Sequence, residues 1–124
     1  MNIIISNSSN IPIYEQIKDQ IKNKIISNEL KAGDLLPSIR SLAKDLRISV
    51  ITTKNAYEEL EREGYVETIP AKGTYVSNKN VELIREEQLQ KVENLIDTAV
   101  SIAKISDISK KEIKDMIDII YGEE

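Results

Sequence analysis

The side chains of this sequence that could do chemistry are few in kind. Among 124 residues there is no histidine and no cysteine. That removes imidazole acid–base catalysis, a thiolate nucleophile and the usual zinc ligands. The four glycines, at 33, 64, 73 and 122, are isolated, so no Gly-rich loop can cradle a phosphate. Carboxylates are plentiful but fall on helical surfaces with no sign of a shared pocket. No carboxylate loop suggests an oxygen-ligand metal site. No catalytic residue, no metal and no cofactor is expected, and the chain does not read as an enzyme. What remains is a chemistry of binding. Cations, hydroxyls and small aliphatics cluster in three places: Ser38 and Arg40; Ser49, Val50, Ile51, Thr52 and Lys54; and Lys72 with Gly73.

The middle cluster lies in the stretch RISVITTKNAYEELEREGY, Arg47 to Tyr65. Ser49 can cap a helix whose apolar face is Ala56, Tyr57 and Leu60, and Gly64 can end it in a left-handed cap. Its first turn is Val50-Ile51-Thr52-Thr53, four branched β-carbons in a row. Such residues are poor helix formers. A core does not obviously need them there, so a surface role is the natural reading.

The elements around this helix explain what that surface is for. Pro12 is expected to open a first helix in which Ile13, Ile17, Ile21 and Ile25 recur every four residues. That helix should end near Asn28, before a Gly33-Asp34 turn. Ile3–Ile5 is a short strand or an arm. Ser38 caps a second, short helix with Ile39, Leu42, Ala43 and Leu46 on its apolar face and Arg40 on the polar side. A tight turn, Arg47-Ile48-Ser49, leads into the third helix. After Gly64 the apolar period drops to about two, and residues 65–76 read as a β-hairpin with a four-residue loop, Pro70 to Gly73. Helix, helix-turn-helix and hairpin are the element order of a winged helix-turn-helix. The helix-turn-helix is placed at about 39–58 and the wing at about 65–76, within a domain of residues 11–79.

In such a domain the third helix enters the DNA major groove with its N-terminus first. Val50 and Ile51 can then pack on thymine methyls and Thr52 can add a hydroxyl contact. Arg40 and Lys54 can reach phosphate or base edges. Gly73 lets the wing backbone approach closely while Lys72 reaches a phosphate or the minor groove. Glu58, Glu59, Glu61 and Glu63 would repel phosphate, so only the helix's first half belongs in the groove. For each of these residues the ordinary alternative is a solvated side chain or a contact across the turn.

The overall charge, −4, argues the other way only on average. Residues 1–79 carry 11 basic and 10 acidic side chains, whereas residues 80–124 carry 6 and 11. Ser38–Lys54 holds four cations against Asp45, and the local field is what steers a polyanion. With no apolar run longer than three residues, neither a membrane span nor a signal peptide is expected. The lack of cysteine fits a reducing, cytoplasmic compartment.

Residues 80–124 should form a long helix, about Asn80 to Lys104, and a shorter one. The shorter helix is announced by the capping box Ser109-Lys110-Lys111-Glu112 and the staple pair Ile108 and Ile113. Val92, Leu95, Ile96, Ala99 and Ile102 stripe the first; Ile113, Met116, Ile117 and Ile120 stripe the second. About 45 residues rarely make a core of their own. These stripes must therefore pack on the N-terminal domain or on a second subunit; the second subunit is the expected partner, so that they dimerise the chain. The fold class expected is mainly α with a small β-hairpin: a winged helix-turn-helix plus a C-terminal two-helix dimerisation hairpin.

The run PIYEQIKDQI…LKAGDLLPSIRSLAKDLRISVITTKNAYEELEREGYVETIPAKGTYV resembles the DNA-binding domain of the GntR family of bacterial transcription regulators. The likeness covers about Ile11–Val76. It rests on the Gly-Asp-x-Leu-Pro-Ser-x-Arg run ending at Arg40, the Leu42-Ala43 pair, the Ala56-Tyr57-x-x-Leu60-x-x-x-Gly64 spacing and the wing run Lys72-Gly73-Thr74-Tyr75-Val76. The short two-helix remainder is similar to the YtrA-like branch. The resemblance implies a homodimer on an inverted-repeat operator, usually a repressor and commonly of transporter operons. It implies DNA contacts at Arg40, Ser49, Thr52, Lys54 and Gly73. The chain departs from the family at Val50, where many members have arginine; a guanine reader is lost, and an operator richer in thymine is expected. The rival readings are a winged helix that serves as a protein-interaction module without DNA binding, and a regulator of a different winged-helix family with the same element order. Two ways of control stay open: a small-molecule effector of unknown identity, seated between subunits or between the two parts, or abundance alone.

Overall fold

A computed structural model describes residues 1–78 and 81–122. The chain divides into two units, residues 1–80 and 81–124. The domain boundary expected between residues 79 and 80, and the expected helix start at Asn80, lie outside the described residues.

In the first unit, three helices and a hairpin follow in the expected order: α1 (Ile13–Ile26), α2 (Ile39–Leu46), α3 (Val50–Arg62), β1 (Val66–Ile69) and β2 (Gly73–Val76). The core lies where α1 and α2 pack on α3 and α3 on β1. Ile17 and Ile21 of α1 are fully buried there with Ala56, Leu60 and Thr53 of α3, and Leu42 and Ala43 of α2 are nearly so. Pro12 stands at the N-cap of α1, one residue outside the helix it was expected to open, and its carbonyl accepts from Glu15 and Gln16 N–H. The α3 end is a Schellman turn. Tyr65 N–H donates to the Leu60 carbonyl and Gly64 N–H to that of Glu61, with Gly64 at φ +84°. The Glu63 carboxylate there reaches back to α1, 3.0 Å from Lys22 Nζ and 3.4 Å from Lys18 Nζ. Partial burial would raise the pKa of Glu63, but the Lys22 hydrogen bond and the two lysine charges outweigh it and hold the carboxyl below its ordinary value.

Two features depart from expectation, and one open alternative is decided. The hairpin loop is three residues, 70–72, because Gly73 already pairs with Ile69 as the first residue of β2. Lys72 N–H donates to the Ile69 carbonyl at 3.0 Å across a turn with Pro70 second and Ala71, at φ +66°, third, which is the pattern of a type II turn. The stretch after the Gly33 turn is no simple connection. It runs along β2, with Gly33 N–H on the Val76 carbonyl, Leu36 N–H on Thr74 and Val76 N–H on Asp34. The wing therefore has a third, strand-like edge, seen as the Leu35–Tyr75 bridge. Finally, Ile3–Ile5 forms an arm, not a strand. The Gln20 side-chain amide bonds both the N–H and the carbonyl of Ile4, and Gln16 does the same for Ser6. The four residues from Gln16 to Gln20 rise about 6 Å, close to two residues of extended chain, so two glutamines imitate a strand edge.

The second unit holds α4 (Val81–Ile105) and α5 (Lys110–Tyr121). Asp107, at φ +57°, turns the chain between them. The Ser109–Glu112 capping box is complete in both directions. Among the described residues no helix is long and apolar enough to cross a membrane.

Candidate nucleic-acid interface

The candidate surface is built by two serine caps. Ser38 Oγ accepts from Ser41 N–H at 3.1 Å and starts α2; Ser49 Oγ accepts from Thr52 N–H at 3.0 Å and starts α3. Arg47, at φ +57°, makes the left-handed turn between the helices, and Ile48 N–H closes it on the Ala43 carbonyl. Tyr57, from the buried side of α3, donates its hydroxyl to the Pro37 carbonyl at 2.7 Å. This ties α3 to the residue just before the α2 cap. Burial pushes the Tyr57 phenol pKa well above its ordinary value, so it remains a donor through the physiological range.

The four branched residues at the start of α3 divide. Thr53 is fully buried and its hydroxyl returns to the Ser49 carbonyl at 3.2 Å, so it belongs to the core. Thr52 is half-buried with its Oγ1 2.7 Å from Ser49 Oγ, so it braces the cap. Val50 and Ile51 are 47% and 71% exposed. Two aliphatic side chains thus stand in solvent at the tip of a helix whose other face is sealed.

Arg40 is exposed in the first turn of α2, and neither it nor Lys72 makes an ion pair among the described residues. Lys54 is exposed one turn into α3, 3.7 Å from Glu58. Arg62 pairs with Glu59, and Glu61 accepts from Thr68 N–H, so the acidic second half of α3 is tied up within the unit. The wing contributes Lys72, exposed, and Gly73 at φ +124°. The Arg47 turn joins the end of α2 to the start of α3, and the Tyr57–Pro37 bond holds the α2 start against α3. The wing loop reaches the same unit through strand pairing, and no hydrogen bond or ion pair joins Lys72 to the helices among the described residues. One exposed polar residue of α3 escaped the reading of the sequence: Asn55, four residues beyond Ile51. The i,i+4 spacing was the signal that could have found it.

Comparison with known proteins agrees with this architecture. Residues 13–76 match the family model for bacterial regulatory proteins, gntR family. The HTH-type transcriptional repressor YtrA of Bacillus subtilis (strain 168) is 33% identical over 121 residues, which is 98% of this chain and 93% of that protein. The crystal structure of a transcriptional regulator from Oenococcus oeni superposes with a TM-score of 0.77 at 29% identity, covering 95% of this chain and 98% of that one. YtrA from Sulfolobus acidocaldarius, a GntR-family transcription factor, is 35% identical with a TM-score of 0.59, over 74% of this chain and 97% of that one. These relatives are regulators, not enzymes. The winged helix, the family match over half of the chain and the near full-length relative lead to one conclusion: the chain belongs to the GntR family of bacterial regulatory proteins, in its short YtrA-like branch, and is a DNA-binding transcription regulator.

Proposed function

We propose that the protein is a homodimeric repressor that binds an inverted-repeat operator, with residues 11–79 as its DNA-binding domain and 80–124 as its dimerisation region. The observation that carries the reading is the exposed Val50–Ile51 pair at the capped N-terminal tip of α3. An unburied aliphatic pair at that point suits thymine methyls in the major groove. In this reading Arg40 and Lys54 take phosphate or base edges, and Ser38, Ser49 and Thr52 line the approach to the backbone. Lys72 and Gly73 bring the wing to a phosphate or the minor groove. Lys54 gives up only an exposed pair with Glu58, which is worth little.

Dimerisation rests on α4 and α5. Val92, Leu95, Ile96 and Ile102 are 47–70% exposed, Met116 and Ile117 49% and 46%, and Ile120 84%; Ala99 is exposed and Ile113 half-buried. A second copy would take these stripes out of water. The regulated genes are of the transporter-operon kind, and the place of action is the cytoplasm, where a bacterial cell keeps its DNA. An effector of small size suits this unit. A recess of about 300 Å³ lies among Val100, Ala103, Ile108 and Ile113, with Lys104 and Lys110 also lining it.

The test is selection of bound duplexes from a random pool by the full-length protein at two salt concentrations. An enriched inverted repeat with half-site centres about 10 base pairs apart is expected. With about 3–4 phosphate contacts per copy, log affinity should fall with log salt at a slope of about −5 to −7. Replacing Val50 and Ile51 by alanine should change affinity or base preference at thymine. No enrichment, with only weak binding lost at moderate salt, would refute the reading in favour of a protein-interaction module.

A further inference from the structure

We propose that Asn55 is a specificity-determining residue that reads an adenine in each operator half-site. The inference rests on the reading that α3 lies in the major groove. Among the described residues, Asn55 is the one polar side chain of α3 with no intramolecular partner. Thr52 and Thr53 bond back to Ser49, Lys54 pairs with Glu58, Tyr57 donates to Pro37, Glu59 pairs with Arg62, and Glu61 accepts from Thr68. Asparagine in mid-helix lowers helix stability relative to alanine. Here nothing in the fold compensates, and such uncompensated local conflicts mark functional positions.

Its place on the helix is the second argument. Thr53, Ala56, Tyr57 and Leu60 face the core, whereas Asn55 is exposed on the outward side, one turn beyond Ile51. The acidic residues begin at Glu58, so Asn55 is the last neutral polar residue on the outward side before charge would oppose the phosphates. The third argument is chemical. A carboxamide donates to adenine N7 while accepting from adenine N6, and no other base offers that pair in the same order. Four residues of helix rise about 6 Å. The adenine therefore lies within about two base pairs of the thymine that Ile51 touches, at about 3.4 Å per step.

The experiment compares random-pool selection by the full-length wild-type protein, Asn55→Ala and Asn55→Gln. Asn55→Ala should lose a single adenine preference per half-site, by about 5-fold to 150-fold. Its binding to unrelated DNA and its salt slope should not change, because no phosphate contact is removed. Asn55→Gln keeps the amide and should keep adenine as the preferred base. Alanine favours helix, so circular dichroism should report an intact fold for Asn55→Ala. An unchanged motif with Asn55→Ala would overturn the inference and leave the DNA reading standing. Uniform weakening with a shallower salt slope would overturn it too, in favour of a phosphate contact. Absence of any motif with the wild-type protein would remove the DNA reading itself and this inference with it.

Discussion

Replacing Gly73 by alanine tests the wing with two separable effects. Gly73 sits at φ +124°, and a Cβ built there lies 3.0 Å from Leu35 Cδ1. The backbone effect comes first. That region of φ is nearly closed to residues with a Cβ, and holding one there costs about 1–3 kcal/mol. The contact is the smaller effect. Leu35 is 59% exposed, so its side chain can turn aside for about 0.5–1.5 kcal/mol at most. Against both stands a gain of about 0.4–1 kcal/mol, because alanine narrows the unfolded ensemble. The net loss should centre near about 2 kcal/mol. For a unit of this size that is a fall in Tm of about 8–16 °C.

Urea and thermal unfolding of four proteins measure it: wild type, Gly73→Ala, Leu35→Ala and the double variant. Most of the loss should survive in the Leu35→Ala background, since the φ strain does not depend on Leu35. A loss below about 0.5 kcal/mol would refute the assignment of strain, being within the range of an ordinary surface change. Full rescue by Leu35→Ala would show that the contact, not the backbone, demands glycine.

Two further outcomes follow from polar contacts that are buried or partly buried. Tyr57→Phe removes the 2.7 Å bond to Pro37 and leaves a carbonyl short of its donor, so urea unfolding should show a loss of about 1–2 kcal/mol with an unchanged far-ultraviolet spectrum. Glu63 keeps its charge in the folded state where the unfolded chain would take up a proton. Its contribution is therefore complete above the ordinary value near 4.5 and disappears as pH falls through the lower folded value. Glu63→Gln should lower stability at pH 7 but shrink the gap to wild type as unfolding is followed to pH 3; a gap that stays constant or widens there would contradict the Lys22 and Lys18 pairing.

Much of the fold is written in local signals. Ser38, Ser49 and Ser109 cap the helices where their hydroxyls stand next to an apolar-periodic run, and each cap is satisfied within three residues of chain. The four-residue spacing of isoleucines gave α1, the change of period after Gly64 gave the hairpin, and the same patterns carried the family resemblance. The candidate site was legible to the same depth: the order of elements placed Val50 and Ile51 at a helix tip, and both proved exposed. Legibility stopped where a choice depended on residues far apart in the chain. The reading could not separate Thr53, which the core seals, from its exposed neighbours, because burial is decided by α1 and α2 packing on α3. The pairing of Leu35–Leu36 with β2 left no trace, because the partner strand lies almost forty residues later and backbone pairing leaves no mark on side-chain type. Nor did the reading foresee Gln16 and Gln20 clamping the arm, or that among the described residues Asn55 would be the one polar side chain of α3 without a partner. Capping and periodicity act within a turn or two and can be read from residue order. Burial, long-range pairing and the satisfaction of each polar group exist only once distant segments meet.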